Sequence, residues 1–227
     1  MKFEDQDLPD LDEYAARAEQ FIPGRRAIFS IVEAAFLELL AGGPARILVV
    51  GAGGGEEILR LGAENPSWSF VGVDTYKPMV DLARRRLAGT PVGARSVVHA
   101  MSVEQIDEAG FDAGTCILTA HFVPDDGSKL ALFKAVHARL KPGAPLALVD
   151  GVGVPGQPQT EMLRRIWKRH AFRNGADEQL AESNAQNLNR IPIVSVERQE
   201  QLLASAGFKD PLPIFRGLAI KGWIAFA

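Results

Sequence analysis

The chain has 227 residues, of which 47% are hydrophobic and 23% are charged, and its formal net charge is −3. This length and composition fit one globular α/β domain with a real hydrophobic core. The acidic balance, with a pI of about 5.9, gives no support for broad electrostatic binding of nucleic acid, which needs a basic face. We therefore expect no nucleic-acid partner.

Cysteine content and hydropathy indicate the compartment. The single cysteine, Cys116, cannot form a disulfide within the chain, and its apolar neighbours are typical of a small buried residue. The first residues, MKFEDQDLPDLDE, are acidic and lack the apolar core of a signal peptide. No run approaches the ~20 apolar residues that a membrane helix needs. These features predict a cytoplasmic protein with no membrane partner.

An N-terminal helical lid is predicted to precede the first strand. After an acidic arm at 1–12, residues 13–20 are predicted to form a short helix, which a Pro-Gly pair ends. From Arg25 to Leu40 apolar residues recur every three or four positions, which predicts a long helix with one buried face. Residues 1–43 together form this predicted lid.

From residue 46 onward, short apolar runs alternate with helical patterns. The predicted strands cover 46–50, 69–73, 95–100, 115–120 and 145–150. The predicted helices cover 55–63, 78–88, 103–108, 127–140, and at least two segments between 158 and 206. Two strands, 212–218 and 219–227, then follow each other without a helix. This order predicts one α/β domain, spanning 1–227, with a doubly wound, seven-stranded, mainly parallel sheet.

The most informative stretch connects the first two strands. The first strand ends at the run Gly51-Ala52-Gly53-Gly54-Gly55, a helix follows, and the second strand ends at Asp74. Glycines let the backbone approach a ligand closely, and a helix N-terminus offers free N–H groups. A carboxylate after the second strand is placed to accept both hydroxyls of a ribose. The stretch therefore predicts a nucleoside site.

The glycine spacing favours one class of nucleoside. A dinucleotide fingerprint, G-x-G-x-x-G, requires a glycine where this chain has Glu56, whose carboxylate would face the phosphates. The pattern x-G-x-G-x-G fits Gly51, Gly53 and Gly55 instead. An NAD(P)-dependent oxidoreductase is thus the weaker alternative, and the sequence also lacks its Tyr-x-x-x-Lys pair.

The alternate glycines resemble motif I of the class I methyltransferases, which use S-adenosylmethionine. The resemblance covers nearly all of the chain, and one departure is Val49, where the family often has an acid. Two further segments resemble a small-molecule branch that includes the enzyme making carboxy-S-adenosylmethionine. The segments that carry the resemblance, besides the glycines, are Tyr76–Met79, Leu140–Gly143, Leu202–Phe208, and, for the branch, Phe21–Arg25 and Phe215–Trp223.

This resemblance implies a Rossmann-like methyltransferase fold, with S-adenosylmethionine as donor and S-adenosylhomocysteine as product. It assigns the methionine carboxylate to Arg25 or its neighbour Arg26, adenine packing to Met79, and the adenine amino group to Ser102 or the backbone. The residues implied to bind the cofactor are Arg25, Gly51, Ala52, Gly53, Asp74, Thr75, Met79, Met101, Ser102 and Thr119.

The acceptor is expected to be a small molecule with an oxygen, nitrogen or sulfur nucleophile. His121 follows the fourth strand, at the edge where ligands bind in this fold, and is either a general base or a lining residue. The segment 152–194 carries none of the family motifs, and we interpret it as a cap between the fifth and sixth strands. Candidate acceptor-pocket residues are Phe122, Trp167, Phe172, Arg216 and Trp223.

Two further expectations concern ligands and partners. The histidines lack ligand spacing, so no metal site is predicted. Because methyl transfer needs no invariant catalytic side chain, a regulatory protein that only binds S-adenosylmethionine or S-adenosylhomocysteine remains an alternative. Besides the acceptor, the partner considered is a second copy of the chain in a homodimer.

Overall fold

The computed structural model describes residues 14–227, so the predicted acidic arm lies outside the described residues. The helices are α1 (Tyr14–Phe21), α2 (Arg25–Leu39), α3 (Glu56–Glu64), α4 (Lys77–Leu87), α5 (Ser128–Arg139), α6 (Pro158–Arg173), α7 (Glu178–Asn187) and α8 (Val196–Ala206). The strands are β1 (Ala45–Val50), β2 (Trp68–Val73), β3 (Ser96–His99), β4 (Ala113–Ile117), β5 (Pro145–Gly151), β6 (Lys209–Gly217) and β7 (Ile220–Phe226).

The predicted elements are present, with ends shifted by a few residues and one change of type. The predicted helix at 103–108 is a single 3₁₀ turn, Val103–Gln105. Ser102 and Gln105 close a capping box around this turn, and Ile106 is already extended, so the helix does not continue.

The seven strands form one mixed sheet with the order β3-β2-β1-β4-β5-β7-β6. Strands β1 to β5 pair in parallel, whereas β7 is antiparallel to β5 and β6 is antiparallel to β7. The reversal follows from the short turn between Gly217 and Ile220, in which Leu218 adopts a φ of 54°. A turn of this length joins antiparallel neighbours, whereas a parallel crossover needs a dozen or more residues. The prediction of a mainly parallel sheet is confirmed.

Helices cover both faces of the sheet. Ile47 and Val49 belong to a core cluster beneath α2, α3 and α4, whereas Leu48 and Val50 belong to a second cluster beneath α5 and α8. Alternating side chains on a buried strand explain this division. Within residues 14–227, no helix combines the length and the apolar character that crossing a membrane requires.

A third, smaller cluster joins the N-terminal helix to the segment after β5. Phe21 of α1 packs with Ala171, Ala176 and Ala181, and its ring lies 5.3 Å from that of Trp167 on α6. The predicted lid and the predicted cap therefore contact each other directly.

Candidate active site

The glycine loop after β1 depends on left-handed backbone. Gly51, Gly53 and Gly55 have φ values of 74°, 50° and 79°. These conformations favour glycine, because a Cβ would strain them. At Gly51 a Cβ would also lie 2.0 Å from the Thr119 Oγ1. The glycines of the x-G-x-G-x-G pattern are thus needed for left-handed backbone conformations. Gly51 is also needed because the segment after β4 approaches it closely.

Asp74 ties the end of β2 to this loop. Its Oδ2 accepts a hydrogen bond from the Gly53 N–H at 2.9 Å, and its Oδ1 accepts one from the Tyr76 N–H at 2.8 Å. Each carboxylate oxygen keeps a second acceptor site, and the side chain is only half-buried. The carboxylate therefore has capacity left for two ribose hydroxyls.

The surroundings of the loop suit a nucleoside without phosphates. A Cβ built on Gly53 would meet nothing nearer than the Gly51 carbonyl oxygen at 4.0 Å, so space is open on that side of the loop. The first turn of α3 carries Glu56 and Glu57. The Glu56 carboxylate therefore already occupies the helix N-terminus, where an anion would otherwise bind. The open space and the acidic first turn fit a nucleoside without phosphates better than a dinucleotide.

Arg25 lies at the start of α2 and pairs with Glu56. Its Nη1 and Nη2 donate to the two Glu56 oxygens at 2.7 and 2.5 Å. Burial by itself would raise the pKa of Glu56, but hydrogen bonds and charges from Arg25 and Arg60 outweigh burial and hold that pKa below its ordinary value. The neighbouring Arg26 is exposed. The assignment of either arginine to the cofactor carboxylate stays a prediction.

Glu57 is a buried acid that the sequence analysis missed. Burial raises the pKa of its carboxyl to about 7, and the Thr115 hydroxyl and the Arg25 charge offset burial only in part. Its Oε1 has no hydrogen-bond partner within residues 14–227. Thr115 is the register partner of Val49 on β1. A carboxyl group therefore lies close to the position where the family often has an acid.

His121 and Asp150 form a second buried pair. His121 lies in a 3₁₀ turn after β4, and Asp150 lies near the end of β5. The His121 Nδ1 is 2.6 Å from the Asp150 Oδ1, and the His121 backbone N–H donates to the same oxygen at 2.9 Å. Asp150 is fully buried, and its Oδ2 has no partner in the described part of the chain. The imidazole is therefore held by one fixed carboxylate.

A buried lysine lies near this pair. Lys129 begins α5, and its Nζ donates to the Pro192 carbonyl at 3.3 Å. Burial lowers the pKa of Lys129, and the charges of Asp150 and Asp125 oppose that shift. Cys116 is buried as predicted, and burial raises the pKa of its thiol above the ordinary range. The sulfur thus stays protonated and unreactive.

The remaining predicted cofactor residues lie around the carboxyl edge of β1 to β4. Ala52 is buried and donates to the Val73 carbonyl, and Met79 is buried in the first turn of α4. Thr75 is exposed, whereas Met101 and Ser102 are half-buried. Because the carboxyl ends of parallel strands meet at one edge, the fold brings these segments together.

The predicted acceptor residues are not brought together. Phe122 lies beside His121, with ring centroids 4.2 Å apart. Trp167 packs on Phe21, and Phe172 is 49% exposed. Of the three predicted aromatic residues near the cap, only Phe122 contacts the imidazole in the described structure.

The two candidates on the terminal hairpin lie elsewhere. Arg216 is exposed on β6, the edge strand of the sheet. Trp223 is fully buried in the core, and its Nε1 donates to Glu200 at 2.9 Å. This position contradicts the expectation that Trp223 lines an open pocket. Asp150, by contrast, was missed, although it ends an apolar strand as Asp74 does.

In comparisons with known proteins, part of the chain matches a domain family, and two curated proteins are similar to it in sequence. Residues 47–143 match the model of a family described as "Methyltransferase domain". The ubiquinone/menaquinone biosynthesis C-methyltransferase UbiE of Geobacter sulfurreducens is 27% identical over 173 residues, which cover 73% of this chain and 65% of that protein. The demethylmenaquinone methyltransferase of Deinococcus radiodurans is 29% identical over 182 residues, which cover 78% and 73%. The chain thus spans just under two thirds of the first relative.

Solved structures share the fold. Human N-acetylserotonin methyltransferase in complex with S-adenosylmethionine superposes with a TM-score of 0.59 at 16% identity, covering 96% of this chain and 60% of that one. A Methanococcus maripaludis protein assigned as an S-adenosyl-L-methionine-dependent methyltransferase gives 0.61 at 18% identity, covering 99% and 96%. Together these comparisons show that residues 47–143 resemble a methyltransferase domain and that the chain shares the fold of the solved methyltransferases.

Proposed function

We propose that this chain, which carries a methyltransferase domain on a class I methyltransferase fold, transfers a methyl group from S-adenosylmethionine to a small acceptor. The observation that carries the proposal is the hydrogen bond from Gly53 to Asp74. It joins the glycine loop to the acid after β2, and both lie inside the matched domain. When bound, S-adenosylmethionine supplies a methyl group made electrophilic by its sulfonium.

The chain's own contribution is positioning. Asp74 would accept the ribose hydroxyls, Met79 would pack on adenine, and Thr119 would line the site beside Gly51. Holding a donor and an acceptor in attack geometry can lower a barrier by ~7–11 kcal/mol. Such positioning accounts for catalysis without requiring any covalent intermediate on the protein.

The acceptor is proposed to bind between the lid and the cap. Its methylated atom is proposed to be an oxygen, nitrogen or sulfur. The names of the two curated relatives concern methylation in ubiquinone and menaquinone biosynthesis, and one is a C-methyltransferase. They add a carbon nucleophile to the candidates. The contact between α1 and α6 supports a shared lid-and-cap enclosure.

We also propose that the chain is related to the branch that includes the enzyme making carboxy-S-adenosylmethionine. The two segments that carry this resemblance, Phe21–Arg25 and Phe215–Trp223, lie against each other. A Cβ on Gly24 would be 3.2 Å from the Phe215 ring, and one on Gly217 would be 3.3 Å from the Pro23 carbonyl oxygen. This contact supports a common role for the two segments in closing the N-terminal side of the site.

Calorimetry tests the proposal. S-adenosylmethionine and S-adenosylhomocysteine should bind with micromolar Kd values, or about −8 kcal/mol, and NADH should show no binding. Tight NADH binding without binding of either sulfur compound would overturn it. Turnover on any acceptor distinguishes an enzyme from a regulatory binding protein.

A further inference from the structure

We propose that the outer face of α6 binds the surface of a bilayer that contains anionic lipids. This inference goes beyond the proposed function and does not depend on it. The outer face comprises the exposed residues of α6 after its first turn, and none of them is acidic. They are Met162, Arg165, Ile166, Arg169, Phe172 and Arg173.

The outer face is a stripe along one side of the helix. Met162, Ile166, Arg169 and Arg173 follow one another at intervals of three or four residues, and residues so spaced lie on the same face of an α-helix. Ala171 points the opposite way and is fully buried in the cluster that joins α6 to α1. One side of α6 therefore packs on the protein, and the stripe faces outward.

The arginines of the outer face have no carboxylate partner in the described part of the chain. The acids of the cap that form ion pairs do so with other residues: Glu161 pairs with Arg164, and Glu182 pairs with Lys168. The helix as a whole carries five Arg and Lys residues and one acid, in a chain whose formal net charge is −3. Positive charge is thus concentrated on α6 and is available to an anionic surface.

The apolar side chains of this face are exposed as a group. Four of the eight large hydrophobic residues that are exposed in the described residues lie between 154 and 172, so their exposure is clustered, whereas scattered exposed residues need no explanation. Met162 is 50% exposed and Ile166 is 43% exposed. The Arg165 Nη2 donates to the Met162 sulfur at 3.5 Å. Apolar and cationic groups therefore share one continuous surface.

A bilayer fits this face better than a protein does. A specific protein–protein interface uses about 20–30 residues on each side, whereas the outer face is a single helix surface with few residues. A helix that lies on a bilayer needs only its own face, with apolar side chains below the headgroups and basic groups among anionic ones. Arginine suits this position, because its stem can lie in apolar surroundings while its guanidinium reaches the headgroups.

The sequence-based expectation of no membrane partner concerned only segments long enough to cross a bilayer. A helix that lies on a surface needs no such segment. It is identified by charge and exposure on one face, and the exposure of α6 is known only from the fold. The present proposal departs from that expectation for this reason.

Co-sedimentation of the full chain with vesicles tests the proposal. We expect binding to vesicles of phosphatidylcholine mixed with phosphatidylglycerol, and no binding to phosphatidylcholine alone. Added salt should weaken binding, because mobile ions screen surface charges. Arg165→Gln combined with Arg169→Gln should lower the partition coefficient at least about tenfold, since each basic residue near an anionic surface contributes about fivefold.

A matched pair of substitutions removes the same charge elsewhere. Arg85 on α4 and Lys134 on α5 are both exposed. Arg85→Gln combined with Lys134→Gln should change the partition coefficient by less than about twofold, because the attraction falls off within a Debye length of the surface. A loss equal to that of the α6 variant would mean that only the overall charge matters, and would overturn the proposal.

A fluorescent label locates the contact without removing any arginine. Ile166→Cys can be labelled selectively with a polarity-sensitive thiol reagent, because Cys116 is buried and burial raises the pKa of its thiol. The emission should shift to shorter wavelength with the anionic vesicles, as the label enters apolar surroundings. Lys134→Cys, labelled in the same way, should show no shift.

The other outcomes each overturn the proposal. They include equal binding to both kinds of vesicle, binding to neither, and a shift in labelled Lys134→Cys without one in labelled Ile166→Cys. Binding of polyglutamate without binding of vesicles would assign the face to an acidic protein. Self-association that the α6 double variant abolishes, without vesicle binding, would assign it to a second copy of the chain. Calorimetry with S-adenosylmethionine tests the proposed function separately.

Discussion

The guanidinium of Arg25 lies on the carboxylate of Glu56 in a bidentate pair, with N–O distances of 2.7 and 2.5 Å. The pair joins the start of α2 to the start of α3, directly after the glycine loop. Arg25 is 7% exposed, so its charge depends on this partner. This ion pair thus holds the lid against the start of α3, next to the proposed cofactor site.

The first prediction concerns that arginine. If Arg25 holds the methionine carboxylate, Arg25→Met should weaken S-adenosylmethionine binding at least tenfold, because hydrogen bonds to charged groups contribute ~1.5–3 kcal/mol. Binding of adenosine, which lacks the methionine part, should change by less than about twofold. Arg26→Met, in an exposed side chain, tests the alternative assignment: a tenfold loss in Arg26→Met with little change in Arg25→Met would place the carboxylate contact on Arg26. Equal losses for both ligands in calorimetry would show that Arg25 only fastens the lid.

The second prediction concerns Asp74. Asp74→Ala removes the acceptor of two backbone N–H groups and of the proposed ribose contacts. Affinity for S-adenosylhomocysteine should fall at least tenfold, with a smaller loss in Asp74→Asn, which keeps one acceptor oxygen. Isothermal calorimetry of the two variants measures this. Unchanged affinity in Asp74→Ala would place the ribose contact on another residue.

The third prediction separates two glycines of the loop. Gly51→Ala strains a φ of 74° and also drives a Cβ into Thr119, whereas Gly53→Ala strains a φ of 50° with open space around it. Left-handed strain costs about 1–2 kcal/mol, and overpacking adds about 1–3 kcal/mol at residue 51 only. Urea unfolding should rank Gly51→Ala as clearly less stable. Equal free energies of unfolding would mean that Thr119 moves away freely.

The fourth prediction follows from Glu57. Its pKa in the folded chain is raised to about 7 from 4.5, so the folded state binds a proton more tightly than the unfolded state. The free energy of unfolding should therefore fall as the pH rises from about 4.5 to 7, by roughly 3 kcal/mol. Above that range the loss stays constant.

Glu57→Gln checks this sign, because the neutral amide cannot ionise. Its stability relative to the wild type should increase across the same pH range, in urea unfolding at fixed ionic strength. The exposed Glu104→Gln serves as the control and should show no such trend. A flat difference between wild type and Glu57→Gln would mean that the carboxyl is solvated or paired in solution.

The sequence by itself determined the order of elements and predicted the cofactor half of the site. Alternating apolar runs predicted the strands, and the absence of a helical pattern between 212–218 and 219–227 predicted that the last two strands follow each other directly. Gly51 and Asp74 could be selected as candidates because turn chemistry and strand ends are local. Both depend on the residues next to them in the chain, and such signals are readable without tertiary structure.

Only the tertiary structure decided which polar side chains meet. His121 and Asp150 are 29 residues apart and come together because β4 and β5 pair with Ile117 opposite Val149. Arg25 and Glu56 are 31 residues apart and meet through the packing of two helices. Local patterns specify that a residue faces inward, but sheet register and helix packing decide what it faces. The same reason explains why Trp223 proved to be a core residue.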